Sequence, residues 1–147
     1  MDKHLISGRR RARKLVLQAL YQWHMAGGSS SEIELQFRLA NASDKINFEY
    51  FNRILYGVIQ DITQIDAALT PFLDRSFKSL NPIELSVLRL GAYELLFCID
   101  IPYKVVLDES ISLAKTFGSQ DGHRYVNGVL NKLAKSTREI EVKLENE

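Results

Sequence analysis

The stretch from Asn81 to Cys98, NPIELSVLRLGAYELLFC, constrains the fold more than any other segment. Asn81 is a good N-cap, Pro82 suits the first helical position, and Glu84 sits where a capping-box acid would. Beyond this start, Ile83, Leu85, Val87, Leu88, Leu90, Tyr93, Leu95, Leu96 and Phe97 put apolar groups on nearly every side. A helix that is apolar all round needs neighbours all round, which predicts the buried centre of a helical bundle.

The rest of the chain agrees. No segment alternates apolar and polar residues long enough to argue a sheet, and helical spacing recurs almost throughout. A first helix is expected from Ser7 or Arg9 to Met25, stopped by Gly27-Gly28. Ser31 is expected to cap a second, with Ile33, Phe37 and Ala40 at helical spacing. A third is expected from Ile46 to Leu69, ending before Pro71. After the Asn81 helix, one carries Leu107, Ile111 and Ala114 and ends at Gly118. The last carries Tyr125, Val126, Val129, Leu130 and Leu133, and its charged tail EIEVKLENE is expected to fray. The fold class is therefore all-α, a compact bundle of six to seven helices. Residues 70–80 are the best place to divide the single domain, giving helical halves of about 1–72 and 73–147.

At 147 residues the chain is long enough to bury a core without covalent staples, and a single cysteine, Cys98, excludes an intramolecular disulfide. This suits a reducing compartment, and a cytoplasmic location is expected. No stretch approaches the roughly 20 apolar residues that cross a bilayer. The N-terminus lacks the apolar run of a secretory signal.

Enzyme signatures are missing. There is no GxxxxGK[ST], GxGxxG, GxSxG or HExxH, and His4, His24 and His123 lie far apart. Cys98 has no neighbour at metal-ligand spacing, and it reads as a core thiol. Asp108 and Glu109 point about 100° apart on a helix and read as a solvated face. The expectation is a protein that is not an enzyme, with no cofactor and no metal.

Charge is distributed unevenly. The net charge is +1, yet residues 1–14 hold six Lys/Arg against one Asp. Five of the six residues from Arg9 to Lys14 are basic. At about 100° per residue from Arg9, Arg13 falls near 40°, Arg10 near 100°, Lys14 near 140° and Arg11 near 200°. Leu15, Ala19, Ala12, Trp23 and Val16 fall between roughly 240° and 340°, opposite the cations. Tyr21, near 120°, extends the basic face with a ring. Guanidinium groups fork onto phosphates and a ring stacks on unpaired bases, so the face suits single-stranded RNA. The bland alternative, a solvated basic start, opposes the helix macrodipole. Tyr21 is open to two readings, a stacking ring or a half-buried packing ring, and Arg11 borders the apolar stripe.

Three blocks in order, RRRARKLVLQALYQW, PIELSVLRLGAYEL and IPYKVVLDESISLAKTFGSQDGHRYVNGVLNKLA, are similar to those of the NusB family of bacterial transcription antitermination factors. The similarity covers essentially the whole chain, and VNGVL with PYKVVLDE upstream is its most specific part. The resemblance implies two three-helix halves and a non-enzymatic role in binding the boxA element of ribosomal RNA leader transcripts. It implies NusE, a small-subunit ribosomal protein, as partner, and entry into the RNA polymerase antitermination complex.

By matching position, the resemblance implies RNA contacts at Arg9, Arg10, Arg13 and Tyr21, at Asp121, Arg124 and Tyr125, and at Phe72. It implies Glu84 as a NusE contact. Asn127 and Gly128 are expected to be structural, with Gly128 permitting close helix approach. One alternative is the RNA-targeting domain of certain ribosomal RNA cytosine methyltransferases, for which residue 147 leaves no room for a methyl-donor domain. Another is a protein-interaction or dimerisation module.

Overall fold

The computed structural model describes residues 2–146, and every regular element among them is helical. The helices are α1 (Lys3–Ala26), α2 (Ser30–Ala40), α3 (Phe48–Gln60), α4 (Ile62–Leu69), α5 (Pro82–Phe97), α6 (Tyr103–Phe117), α7 (Gly122–Thr137) and α8 (Glu139–Glu145). Short 3₁₀ turns at Thr70–Phe72 and Phe77–Ser79 fill the junction between α4 and α5. The chain divides into two compact units, up to Gln60 and from Asp61.

In the first unit, α1 and α2 pack on α3. Asp2 caps α1 by accepting from the His4 amide at 2.9 Å, so the helix begins earlier than Ser7. Gly27 and Gly28 end it with φ of 76° and 105°, a region that side chains with a Cβ avoid. The α2 cap is Ser29, not Ser31, and Ser29 Oγ accepts from the Glu32 amide at 3.2 Å. The S-x-x-E spacing from Ser29 to Glu32 is the local signal for that choice. Val16, Leu20, Ile33, Phe51, Ile54, Leu55 and Val58 form the core.

The third helix expected from Ile46 to Leu69 is two helices. Asp61 breaks it with φ −103° and ψ 23°. Beyond the break Ile65 and Leu69 are buried in the second unit, where α4 packs on α5. Arg89 of α5 grips Asp66 of α4, Nε to Oδ1 at 3.0 Å and Nη2 to Oδ2 at 2.9 Å. The division therefore comes before α4, one helix earlier than residues 70–80.

In the second unit α5, α6 and α7 pack on one another, with α4 and α8 beside them. Asn81 Oδ1 accepts from the amides of Ile83 and Glu84 at 2.8 and 3.3 Å, as its N-cap position predicts. Leu85, Leu88, Leu90 and Leu95 are fully enclosed. Close helix approach occurs at Gly91. A Cβ there would lie 2.6 Å from Leu130 Cδ1 and 2.9 Å from Ser110 Oγ. Gly128, expected to serve this purpose, is exposed, and a Cβ on it would meet nothing within 4 Å.

The tail expected to fray forms α8, with Val142 buried. Arg138, between α7 and α8, is the reason. Its guanidinium donates to the carbonyls of Leu95 (2.8 Å), Ile101 (2.9 Å), Glu94 (3.1 Å) and Cys98 (3.0 Å), and to Glu141 Oε1 at 2.7 Å. A helix end leaves its last carbonyls without helical partners, and here one buried cation serves that of Leu95 in α5 and, just beyond the helix, that of Ile101. The other Glu141 oxygen accepts from the Tyr103 amide at 2.7 Å, tying α8 to the start of α6.

Candidate nucleic-acid interface

The first unit presents the basic part of α1, but its members separate differently from the expected arc. Leu17 and Leu20 are buried, at about 80° and 20° on the helical wheel. The buried arc therefore runs from roughly 240° through 0° to roughly 80°, which takes in Arg9 and Arg13. Arg13 is 4% exposed, and its Nη2 donates to the Tyr50 hydroxyl at 3.2 Å. Arg9 is half-buried, with its guanidinium 4.6 Å from the centre of the same ring, and Arg13 is at 5.1 Å. Two cations against one ring bind this part of α1 to α3.

Arg13, expected on the phosphate-binding face, lies instead in the core, because Leu17 and Leu20 flank its direction. Arg10, Arg11 and Lys14 are exposed, so within the basic cluster they are the cations α1 turns to solvent. Tyr21 is 36% exposed on the same side, at about 120° between Arg10 and Lys14. Arg11 does not enter the core. It lines a shallow groove with His4, Asp44 and Lys45, where the loop before α3 meets α1 and the Asn47 amide donates to Gly8 O at 3.2 Å.

The second unit carries the other group. Tyr125, in the first turns of α7, is half-buried, and its hydroxyl accepts from the Asp74 amide at 3.4 Å. Arg75 covers one face of the ring, its guanidinium 4.5 Å from the centre. Asp74 holds Arg75 in a fork, with contacts of 2.7 and 3.3 Å. That bond keeps the Asp74 carboxyl below its ordinary range and the Arg75 guanidinium above its own. Burial raises the Tyr125 phenol. Phe72 is half-buried at the end of the first 3₁₀ turn, which packs on α7, while Asp121 and Arg124 are exposed.

Arg75 and Asp74 escaped the sequence reading because TPFLDRSFKSL has no periodicity to orient them. What the group offers is a supported ring, a fixed guanidinium and a second arginine within the same few residues. Such a set can stack on a base and pair with phosphates.

Glu84, expected as a NusE contact, lies largely inside the second unit. It is 8% exposed, and its Oε2 accepts from the Ser119 amide at 2.8 Å and from Ser119 Oγ at 2.6 Å. Among the described residues no group of three or more His, Cys, Asp or Glu could hold a metal ion. No described helix is long and apolar enough to cross a membrane.

The sequence profile of the NusB family matches residues 10–135. The transcription antitermination protein NusB of Legionella pneumophila (strain Corby) is 59% identical over 147 residues, all of both chains. The structure of T. maritima NusB superposes with a TM-score of 0.80 at 30% identity, covering 92% of this chain and 96% of that one. A crystal structure of antitermination factors NusB and NusE in complex with dsRNA gives a TM-score of 0.80 at 25% identity, over 92% and 99% of the two chains. A basic first helix on an all-helical frame, matched over 92% or more of the chain by these relatives, has one reading: the chain belongs to the NusB family.

Proposed function

We propose that this chain is a transcription antitermination factor that binds the boxA element of ribosomal RNA leader transcripts together with NusE. The complex joins elongating RNA polymerase in the cytoplasm and carries it through terminators, and the chain's own role is binding, without catalysis. The observation that carries the reading is full-length identity of 59% to an antitermination protein, with the exposed Arg10–Lys14–Tyr21 side of α1 as its physical counterpart.

In the first unit Arg10 and Lys14 hold phosphates, Arg9 contributes from its half-buried position, and Tyr21 stacks on a base. In the second unit Tyr125 and Phe72 supply apolar ring surface, Arg124 pairs with phosphate, and Asp121 accepts hydrogen bonds from base or ribose donors. Arg13 supports the first group from within the core.

The test is transcription in an extract depleted of its own antitermination protein, on templates with and without boxA upstream of a terminator. Adding this protein with NusE is expected to raise read-through only where boxA is present. Equal read-through on both templates contradicts the proposal.

A further inference from the structure

We propose that Glu84 is a positioning residue for the RNA group at the start of α7. Its carboxylate, sunk into the loop of residues 118–122, fixes where α7 begins and so where Arg124 and Tyr125 stand. The inference rests on the RNA reading of that group.

Glu84 is on the first turn of α5, where a glutamate ordinarily serves its own helix. Here the first turn is capped without it, since Asn81 Oδ1 takes the free amides of Ile83 and Glu84. The Glu84 carboxylate instead reaches 35 residues ahead to Ser119, whose amide and hydroxyl both donate to Oε2. A buried carboxylate needs such donors, and two from one residue fix the loop's position as well as its proximity.

The glycines on either side show how close the fit is. A Cβ on Gly122 would fall 2.0 Å from Glu84 Oε2 and 2.2 Å from Cδ, and one on Gly118 would lie 3.0 Å from Oε2. Neither glycine has a positive φ. Space for the carboxylate, not backbone conformation, is what Gly122 provides. Gly122 is also the first residue of α7, and Asp121 at the cap position makes no side-chain cap bond. The start of α7 is therefore held from α5. The electrostatic influence of Glu84 also reaches Arg75, the guanidinium over the Tyr125 ring, where it adds to the larger effect of Asp74.

The test is a double-mutant cycle read as affinity for a boxA RNA oligonucleotide, on full-length variants whose folding is checked by circular dichroism. Glu84→Ala is expected to weaken binding about tenfold, the middle of the range for residues coupled through one network. In a Tyr125→Ala background the same change should cost less than about twofold, while beside Arg10→Ala it keeps its full effect. A general loss of stability would not distinguish the two backgrounds.

Gly122→Ala gives a second route should Glu84→Ala fail to fold. It should weaken binding through the same coupling to Tyr125, and combined with Glu84→Ala it should add nothing. Equal effects in both backgrounds, or normal RNA affinity with weakened NusE binding, overturn the proposal and return Glu84 to a partner contact. Failure of the unmutated protein to bind the RNA would instead sink the underlying RNA reading, and this inference with it.

Discussion

Arg13 donates to the Tyr50 hydroxyl across 3.2 Å inside the first unit, so one cation of the basic helix belongs to the core. Its neighbours Arg10 and Lys14 face solvent. Adjacent arginines in one cluster should therefore fail differently. Arg13→Ala removes a buried, charge-assisted bond and should cost about 1–3 kcal/mol of stability, seen as a lower melting temperature. Arg10→Ala should leave melting nearly unchanged and weaken RNA binding. Its plot of log K against log salt should become shallower by about 0.7 for one lost single-strand phosphate contact. Matched melting losses in the two variants would contradict this division.

Arg138 is another buried cation, with more partners. Arg138→Ala leaves the carbonyls of Leu95 and Ile101 without a donor, takes a second donor from those of Glu94 and Cys98, which keep the amides of Cys98 and Ile101, and frees α8. We expect a loss of about 3 kcal/mol or more by denaturant unfolding, from the two carbonyls left unsatisfied together with the lost anchor of α8. Arg138→Lys should recover little, because an ammonium cannot reproduce the planar fork. Full recovery by lysine would mean that charge alone matters there.

Two glycines give a paired prediction. Gly91→Ala drives a methyl into Leu130 and Ser110 and should destabilise by about 1–3 kcal/mol. Gly128→Ala meets open space in mid-helix and should stabilise by up to about 1 kcal/mol. Thermal melts of the two variants should move in opposite directions.

Glu34 confers an acid sensitivity. Its oxygens accept from the Tyr56 hydroxyl at 2.6 Å and from Arg38 Nε at 2.7 Å, and the Tyr56 bond leads in holding its carboxyl below the ordinary glutamate value. A carboxyl depressed on folding stabilises fully above its unfolded value, about 4.3, and loses that contribution as pH falls through the folded value. Glu34→Gln should therefore be less stable than the parent at pH 7, with the difference closing in acid below about pH 4. A pH-independent difference would show that the bonds act without the charge.

The readable parts of the fold were those governed by local chemistry. Asn81-Pro82 announces α5 because cap and first-turn preferences act within a few residues. The break at Asp61 was hidden because Phe51, Leu55, Val58, Ile62, Ile65 and Leu69 keep one helical period across it, although α3 and α4 serve different cores. The burial of Arg13 was legible in principle, since Leu17 and Leu20 lie on either side of it on the helix. What no local pattern carried were contacts reaching far along the chain. Arg138 reaches back to Leu95 and Glu84 forward to Ser119, so α8 and the role of Glu84 appear only in three dimensions. The same holds for Arg75 over Tyr125, whereas the exposed Arg10 and Tyr21 could be placed from helical angle alone.

The most direct test of the central claim is a titration of this protein with a boxA RNA and a scrambled RNA of equal length, with and without NusE, across a salt series. We predict tighter binding to boxA than to the scrambled RNA, a preference that grows when NusE is present. Failure to bind either RNA under any of these conditions would contradict the account and favour a protein-interaction module.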